Sequence, residues 1–304
     1  MAIVLADHQY GKAENRVVRF QRDTARHEIV DLNVTSTLRG DFSDAYLAGD
    51  QAKVLPTDTQ KNTIYSYAKE KGLTSVETYA LDLARHFVDD VAPVTGARID
   101  VESYLWDRVV VDGVEHDHSW VRSGTEVRTA AVTVDGTGAE QVTHVVAGLK
   151  DLVVLKSTGS EFKGFLVDGY TTLPETDDRV MATSLSVAWR YTPAALADGY
   201  DFDAAYETVR RTMLGVFATL HSSALQQTMW HMGRSALEAV PEIAEMRLSA
   251  PNKHHFDYDL ARFGVENRGE VFHADDRPYG HIHARIVRDD EPAAPLAWET
   301  GSLL

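Results

Sequence analysis

Histidines at short spacings are the first residues in this sequence whose types suggest chemistry. Alternate residues of a strand project from one face, so two such histidines could share a metal ion. The stretch DGVEHDHS is, however, an acidic turn, where solvated histidines are more common than ligands. We therefore predict no metal site. The pairs are His116 and His118, His254 and His255, and His281 and His283.

A second unusual feature is the stretch SALQQTMW, where Gln226 and Gln227 stand at the start of a helical pattern. A core helix ordinarily has Leu or Ala at such positions. The three residues from Thr228 to Trp230 also resemble those from Thr63 to Tyr65. The fingerprints GxxxxGK[ST], GxGxxG, GxSxG and HExxH do not occur, so the common motifs for nucleotides, serine hydrolases and zinc proteases are absent.

Composition limits the classes of partner. Thirty basic and 46 acidic residues give a net charge of −16, which would repel phosphate backbones and anionic lipids. We expect neither nucleic acid nor membrane partners. The absence of cysteine excludes disulfides and thiolate chemistry. No run reaches the roughly 20 apolar residues of a membrane helix, and we predict a soluble cytoplasmic protein.

The elements that must position these residues follow one order twice. Alternation from Arg16 to Arg39 predicts a half-buried antiparallel strand, and Thr74 with Glu77 predicts a capping box for a helix that ends before Pro93. Strands resume from 99. In the second half a strand at 181–191 precedes a helix predicted to be capped by Asp203, and helical spacing then continues to 240 before more strands.

This order favours tandem duplication, with one unit in residues 1–140 and another in residues 141–304. The fold class is α+β, and each unit is a four-stranded antiparallel sheet with a helix pair on one face. Two such sheets side by side leave open edges with which further subunits could pair.

Six stretches in order closely resemble the urate oxidase (uricase) family, a resemblance that runs from about Tyr10 to beyond Gly280. They are YGK at 10–12, PTDTQKNTIY at 56–65, LKSTGSEFKGF at 155–165, ETDDR at 175–179, SALQQTMW at 223–230 and APNKHHF at 250–256. The resemblance implies tandem tunnelling-fold domains that oligomerise into a barrel. It also implies a homotetramer that oxidises urate with O2 and water, without a cofactor, to 5-hydroxyisourate and hydrogen peroxide.

By resemblance, Arg179 and Gln226 grip opposite ends of the purine, Phe162 stacks on its face, and Leu225 presents its backbone amide. An amide offers a donor and an acceptor together, and a guanidinium offers two parallel donors. Gln227 is then a helix-surface residue, and Phe165 is expected in the core.

The resemblance also implies that a neighbouring subunit contacts the five-membered ring of the purine. The contacts come from Thr57 and from the backbone of Asp58. Lys12 activates the Thr57 hydroxyl by taking its proton. Asn252 holds dioxygen or water above the ring, and His254 belongs to the proton relay.

Each of these residues has an ordinary structural explanation when taken alone. Lys12 could be a solvated charge, Arg179 a surface ion pair after two aspartates, and Phe162 a core aromatic; only the joint, ordered occurrence favours a site. Two alternatives stay open: a zinc-dependent tunnelling-fold pterin enzyme, and a purine-binding protein that has lost catalysis. The end of the chain lacks a peroxisomal tripeptide, which points to a cytoplasmic bacterial form.

Overall fold

A computed structural model describes residues 1–197 and 199–300 of this chain. Within them one antiparallel sheet of eight strands follows the chain order. The strands are β1 (Tyr10–Gln21), β2 (Glu28–Gly40), β3 (Val94–Val111), β4 (Val114–Asp135), β5 (Val142–Lys156), β6 (Met181–Tyr191), β7 (Ile243–Asp257) and β8 (Phe272–Val287). The helices are α1 (Ser43–Leu47), α2 (Thr57–Glu70), α3 (Val76–Asp90), α4 (Phe202–Thr219) and α5 (Leu225–Ala239).

The four long helices cover one face of the sheet. Helix α2 packs on β1, α3 on β3 and β4, and α5 on β7 and β8, while α4 packs mainly on α5. Strand residues such as Ile99 and Leu248 alternate inward and join one continuous core with these helices. Their neighbours Arg98 and Arg247 face the other side, where they contact the turn Pro295–Trp298.

The predicted fold class is confirmed, because each half contributes four antiparallel strands with two long helices between the second and third. The two expected sheets are continuous rather than adjacent, since β4 pairs with β5 from Val127↔Lys150 to Asp135↔Val142. Strands β1 and β8 are the edges of the sheet. Their outer backbone groups have no strand partner within the described residues, which makes them natural sites for pairing with another chain.

Two predicted helix caps are wrong by one or two residues. Ser75, not Thr74, accepts the amide of Thr78 and begins α3. Asp201, not Asp203, accepts the amide of Ala204 and begins α4. The Asp203 carboxylate is instead paired with Arg128, because that cation approaches from β4.

The similarity between Thr63–Tyr65 and Thr228–Trp230 does not mark equivalent places in the two halves. The first triplet lies in α2, the first long helix of its half, and the second in α5, the last helix of its half. Both helices bury the central residue, Ile64 or Met229, and expose the aromatic one. Similar packing against a sheet edge therefore accounts for the similar residues.

A buried cation joins the two halves. Arg128 on β4 donates to Glu77 of α3 at 2.7 Å and to Asp203 of α4 at 2.6 Å, and its guanidinium lies 4.4 Å from the centre of the Tyr206 ring. Burial raises the pKa of Glu77, and the Arg128 charge opposes that rise. None of the described helices combines the length and the apolar character needed to cross a membrane.

Candidate functional site

The helices at the two edges of the sheet begin differently from the central helices. No side chain caps α2, which follows Pro56, or α5, which follows Ala224. Helices α3 and α4 have conventional caps. First-turn amides that no side chain occupies carry partial positive charge and bind anions. The starts of α2 and α5 are therefore candidates for ligand contact.

A β-bulge shapes the part of β1 that carries Lys12. The register of β1 against β2 shifts between Lys12 and Asn15, and Glu14 inside the bulge has a φ of 54°. The buried amide of Asn15 donates to the carbonyls of Lys12 at 3.0 Å and Val34 at 2.8 Å, which fixes the bulge. Bulges commonly redirect a side chain next to an active site.

A buried hydrogen bond connects this bulge to the start of α2. Ser36, the strand partner of Lys12, donates to the side chain of Gln60 at 2.9 Å, and both side chains are buried. Gln60 lies one turn after Thr57. Sequence analysis missed Gln60, although its place on the same stripe as Ile64 was a usable signal.

Lys12 and Thr57 form no hydrogen bond with each other, but Lys12 acts electrostatically on Asp58, the residue after Thr57. The hydrogen bond and charge of Lys61 lower the pKa of Asp58, and a hydrogen bond from Asn62 and the charge of Lys12 add to this. The Lys12 ammonium therefore lies near the start of α2. Within residues 1–197 and 199–300, neither that ammonium nor the Thr57 hydroxyl has a hydrogen-bond partner.

Arg179 is a half-buried cation without a carboxylate partner among the described residues. Its guanidinium carbon lies 5.0 Å from the centre of the Phe162 ring, and its buried Nε has no acceptor. Burial lowers the pKa of Arg179. A partly desolvated guanidinium with an unpaired hydrogen-bond donor favours the binding of an anion.

The two aspartates before Arg179 do not pair with it. Asp177 forms an ion pair with Lys163. Asp178 accepts hydrogen bonds from the Thr158 hydroxyl at 2.6 Å and the Gly159 amide at 2.9 Å. Both carboxylates are thus occupied, and the surface ion pair considered from the sequence is not found.

The aromatic beside Arg179 is held by backbone bonds. Phe162 and Thr176 exchange two hydrogen bonds, of 2.9 and 3.0 Å. Phe165 stacks on Phe162 with ring centres 5.0 Å apart and an interplanar angle of 17°. The expectation that Phe165 belongs to the core is therefore wrong, because the chain turns back at Gly164 and leaves this ring half-buried.

The two adjacent glutamines at the start of α5 have different environments. The side chain of Gln227 accepts the amide of Ser223 at 2.9 Å and so closes the helix start. The side chain of Gln226 is exposed and has no hydrogen bond to any described residue. Leu225 is buried, and its amide belongs to the uncapped first turn. Only Gln226 is therefore free to bind a ligand through its side chain.

Asn252 and His254 lie on β7, a strand that α5 packs against. Asn252 is opposite Thr183 on β6 and Gly280 on β8. The ring of His254 stacks on Phe256 with centres 5.6 Å apart. A register break separates Asn252 from His254, so β7 is irregular where these two residues lie.

One chain does not bring all the predicted residues together. Lys12, Thr57 and Asp58 lie at the β1 edge, whereas the other predicted residues lie near β6, β7 and α5. Five strand spacings separate β1 from β6, or about 24 Å along the sheet. No hydrogen bond or ion pair joins the two groups in the described part of the chain. We call them the relay cluster (Lys12, Thr57, Asp58) and the clamp cluster (Phe162, Arg179, Leu225, Gln226, Asn252, His254).

The paired histidines do not assemble into a larger ligand set. The rings of His116 and His118 are centred 4.4 Å apart, and those of His281 and His283 4.1 Å apart. Over residues 1–197 and 199–300, no group of three or more His, Cys, Asp or Glu side chains could hold a metal ion.

Comparisons with known proteins agree on one family. The sequence model described as Uricase matches residues 8–133 and 145–283. The uricase of Arthrobacter globiformis is 51% identical over 296 residues, which cover 97% of this chain and 94% of that protein. The uricase of Schizosaccharomyces pombe is 37% identical over 292 residues, with 92% and 96% covered.

Solved structures give the same result. The crystal structure of the Arthrobacter globiformis uricase superposes with a TM-score of 0.88 at 50% identity and covers 97% of this chain and 98% of its own. A Bacillus fastidious uricase, at 24% identity, supports the fold with a TM-score of 0.81 over 94% of this chain and 95% of its own. On the family match, the relatives and the structures together, this chain belongs to the uricase family.

Proposed function

We propose that this chain oxidises urate with O2 and water to 5-hydroxyisourate and hydrogen peroxide, without a cofactor. Urate gives up two electrons to O2, water supplies the new hydroxyl at C5, and the O2 leaves as peroxide. The observation that carries this proposal is the half-buried Arg179 guanidinium beside Phe162, with an Nε that lacks an acceptor. A flat anion could pair with the Arg179 guanidinium and stack on the Phe162 ring at once.

The clamp cluster fits the shape and charge of such an anion. Arg179 can give two parallel charge-assisted hydrogen bonds to a ring nitrogen and its neighbouring oxygen. The Gln226 side chain offers a donor and an acceptor to a second edge, and the Leu225 amide adds a donor from the helix start. Phe162 supplies an apolar face for the ring.

The relay cluster would activate the bound urate. Triplet O2 reacts slowly with closed-shell molecules, so the substrate must become electron-rich before it can transfer an electron. Removal of a second proton achieves this, with Thr57 taking the proton from urate and passing its own to Lys12. Asn252 would hold O2 or water above the ring, and His254 would carry protons for the attacking water.

The complete site would form between two subunits. Neighbouring strands alternate in direction throughout the sheet, so β8 of one chain beside β1 of a partner continues the antiparallel order. Two-fold symmetry then repeats this contact and places the relay cluster of each chain beside the clamp cluster of the other. Tyr65 of α2 and Trp230 of α5, which are 44% and 49% exposed, lie on the two edge helices and would be covered.

The assembly that we propose is a homotetramer of two such pairs, working in the cytoplasm. Residues 1–140 and 141–304 would each be one tunnelling-fold domain. The acidic charge of the chain gives no basis for a nucleic acid or anionic membrane partner.

Two measurements on metal-stripped protein test the reaction together: the loss of the urate ultraviolet band and the formation of peroxide in equal amount. Activity that persists with a strong chelator supports the cofactor-free reaction. Activity that returns only with zinc would favour the pterin-enzyme alternative. Urate binding without turnover would favour the non-catalytic one.

Arg179→Lys tests the clamp directly. The ammonium keeps the charge but cannot give two fixed parallel donors, so binding should weaken by about 1.5–3 kcal/mol, the range for one hydrogen bond to a charged group. Calorimetric titration with xanthine, an oxopurine without the C8 oxygen, measures the loss. Unchanged xanthine affinity would remove Arg179 from the site.

A further inference from the structure

A chain of buried hydroxyls lies beneath the clamp cluster. Ser160, Ser222 and Thr228 are fully buried. The Thr228 hydroxyl donates to the Ser222 hydroxyl at 2.7 Å, and Ser222 donates to the carbonyl of Ala224 at 3.0 Å. The hydroxyls of Ser160 and Ser222 also lie 3.7 and 3.6 Å from the sulfur of Met181. The Thr228 hydroxyl also lies 3.4 Å from the Ala224 carbonyl, so these buried hydroxyls have acceptors within the protein and do not need solvent.

Backbone hydrogen bonds connect this chain to Arg179. The Ser222 amide donates to the Gly159 carbonyl at 2.9 Å, and the Glu161 amide donates to the Ser222 carbonyl at 2.8 Å. The Arg179 amide donates to the carbonyl of Ser160 at 2.7 Å. The segment around Ser160 therefore lies between the Arg179 backbone and Ser222.

The Thr228 hydroxyl connects the same network to the other part of the clamp. Thr228 lies in the first turn of α5, two residues after Gln226. Its bond to Ser222 ties that turn to the residue whose backbone is hydrogen-bonded to Gly159 and Glu161. Two side-chain bonds hold the start of α5: the Gln227 side chain accepts the Ser223 amide, and the Ser222 hydroxyl donates to the Ala224 carbonyl. Neither bond uses the first amides of the helix.

From these contacts we propose that Ser222 and Thr228 are positioning residues, which set the distance and angle between the Arg179 guanidinium and the start of α5. The inference rests on the proposed function, in which a purine bridges these two groups. Neither hydroxyl reaches the ligand itself, since both are buried within the protein. A ligand that needs two groups at a fixed separation loses affinity when that separation fluctuates.

The test compares Thr228→Val, which keeps the shape and removes the hydroxyl, with Thr228→Ser, which keeps the hydroxyl. In the assembled enzyme, Thr228→Val should raise both the Kd for xanthine and the KM for urate about fivefold, the effect of one ordinary hydrogen bond. The kcat should change less than twofold, because the relay cluster is untouched. Thr228→Ser should behave like the unaltered chain, and Ser222→Ala should reproduce Thr228→Val from the other end of the bond.

Thr133→Val is the matched control. Thr133 is a buried threonine on β4 whose hydroxyl accepts a hydrogen bond from Arg98 at 3.3 Å, far along the sheet from the clamp. It should lower the melting temperature but leave the Kd and KM unchanged. If Thr228→Val and Ser222→Ala likewise lower the melting temperature but leave the Kd and KM unchanged, the hydroxyl pair is only structural and the proposal is wrong.

A double-mutant cycle with Gln226→Ala measures the coupling between two substitutions in xanthine affinity, which general destabilisation does not change. If Thr228 acts by placing the start of α5, Thr228→Val should cost less xanthine affinity once the Gln226 side chain is gone. Strict additivity would contradict this route. Should Thr228→Val not fold, Ser222→Ala replaces it in the cycle. Failure of the proposed site gives a different result, since xanthine binding would then also be insensitive to Arg179→Lys.

Discussion

The strongest test of the shared site is complementation between two inactive variants. Thr57→Ala removes the relay hydroxyl and Arg179→Ala removes the clamp cation, and each alone should leave little activity. Thr57 lies near β1 and Arg179 near β6. These strands are five spacings apart, or about 24 Å along one sheet. In a two-fold pair of unlike variants, one site then carries both lesions and the other carries neither.

The expected recovery follows from counting. When the two variants are unfolded together in equal amounts and reassembled at random, about half of the pairs are mixed, and each mixed pair has one intact site of two. Activity should therefore return to about a quarter of the unaltered enzyme. Two different affinity tags used in sequence remove the tetramers that hold only one variant, about one in eight, so the recovery should then rise only to about two sevenths.

The matched control joins two lesions in one cluster. Arg179→Ala mixed with Gln226→Ala should recover nothing, because every site in a mixed pair keeps one damaged clamp. Equal recovery in both mixtures would point to a cause other than site sharing. If the tags prove that subunits exchanged and the first mixture stays as inactive as its components, each site lies within one chain.

Three further tests address stacking, proton transfer and stability. Phe162→Leu should raise the xanthine Kd about three- to tenfold through the lost aromatic face, and Phe165→Leu should raise it less; the reverse order would mean that Phe165 is the stacking ring. Lys12→Met should lower kcat about a hundredfold or more and leave the xanthine Kd unchanged, whereas equal losses would make Lys12 a binding charge. Arg128→Met should lower the free energy of urea unfolding by about 3–5 kcal/mol because it leaves the Glu77 carboxylate buried and unpaired. Adding Glu77→Gln should recover part of that loss, and full additivity would contradict the pairing.

The fold was predictable from the sequence because alternation and helical spacing are local and repeat over many residues. The helix ending before Pro93 is α3, but the single strand predicted from Arg16 to Arg39 is divided into β1 and β2, because residues 22–27 leave the sheet between them. The caps were misplaced because several residues near each helix start could accept the same amide. Ser75 and Asp201 are the caps because they have extended or intermediate backbone angles just outside the helix, and the sequence does not reveal those angles.

The candidate residues came from the family resemblance, and apart from the place of Gln60 on the Ile64 stripe the sequence does not indicate the residues that support them. Ser36, Gln60, Ser222 and Thr228 are ordinary polar residues whose partners are 24 or 6 positions away. Periodicity indicates which face a side chain occupies but not which hydroxyl it meets there. Phe165 was misplaced for the same reason: an aromatic residue predicts burial, whereas its stacking on Phe162 depends on a turn in the loop.

The arrangement of carboxylates explains how an acidic chain can present two cations to an anionic ligand. With 46 acidic and 30 basic residues, an unpaired Lys12 or Arg179 would ordinarily attract a neighbouring carboxylate. The nearest candidates are already engaged: Asp58 by Lys61, Asp177 by Lys163, and Asp178 by Thr158 and two backbone amides. Each of these bonds occupies a carboxylate that could otherwise pair with Lys12 or Arg179. Local pairing therefore keeps the positive charge of Lys12 and Arg179 available for a purine anion.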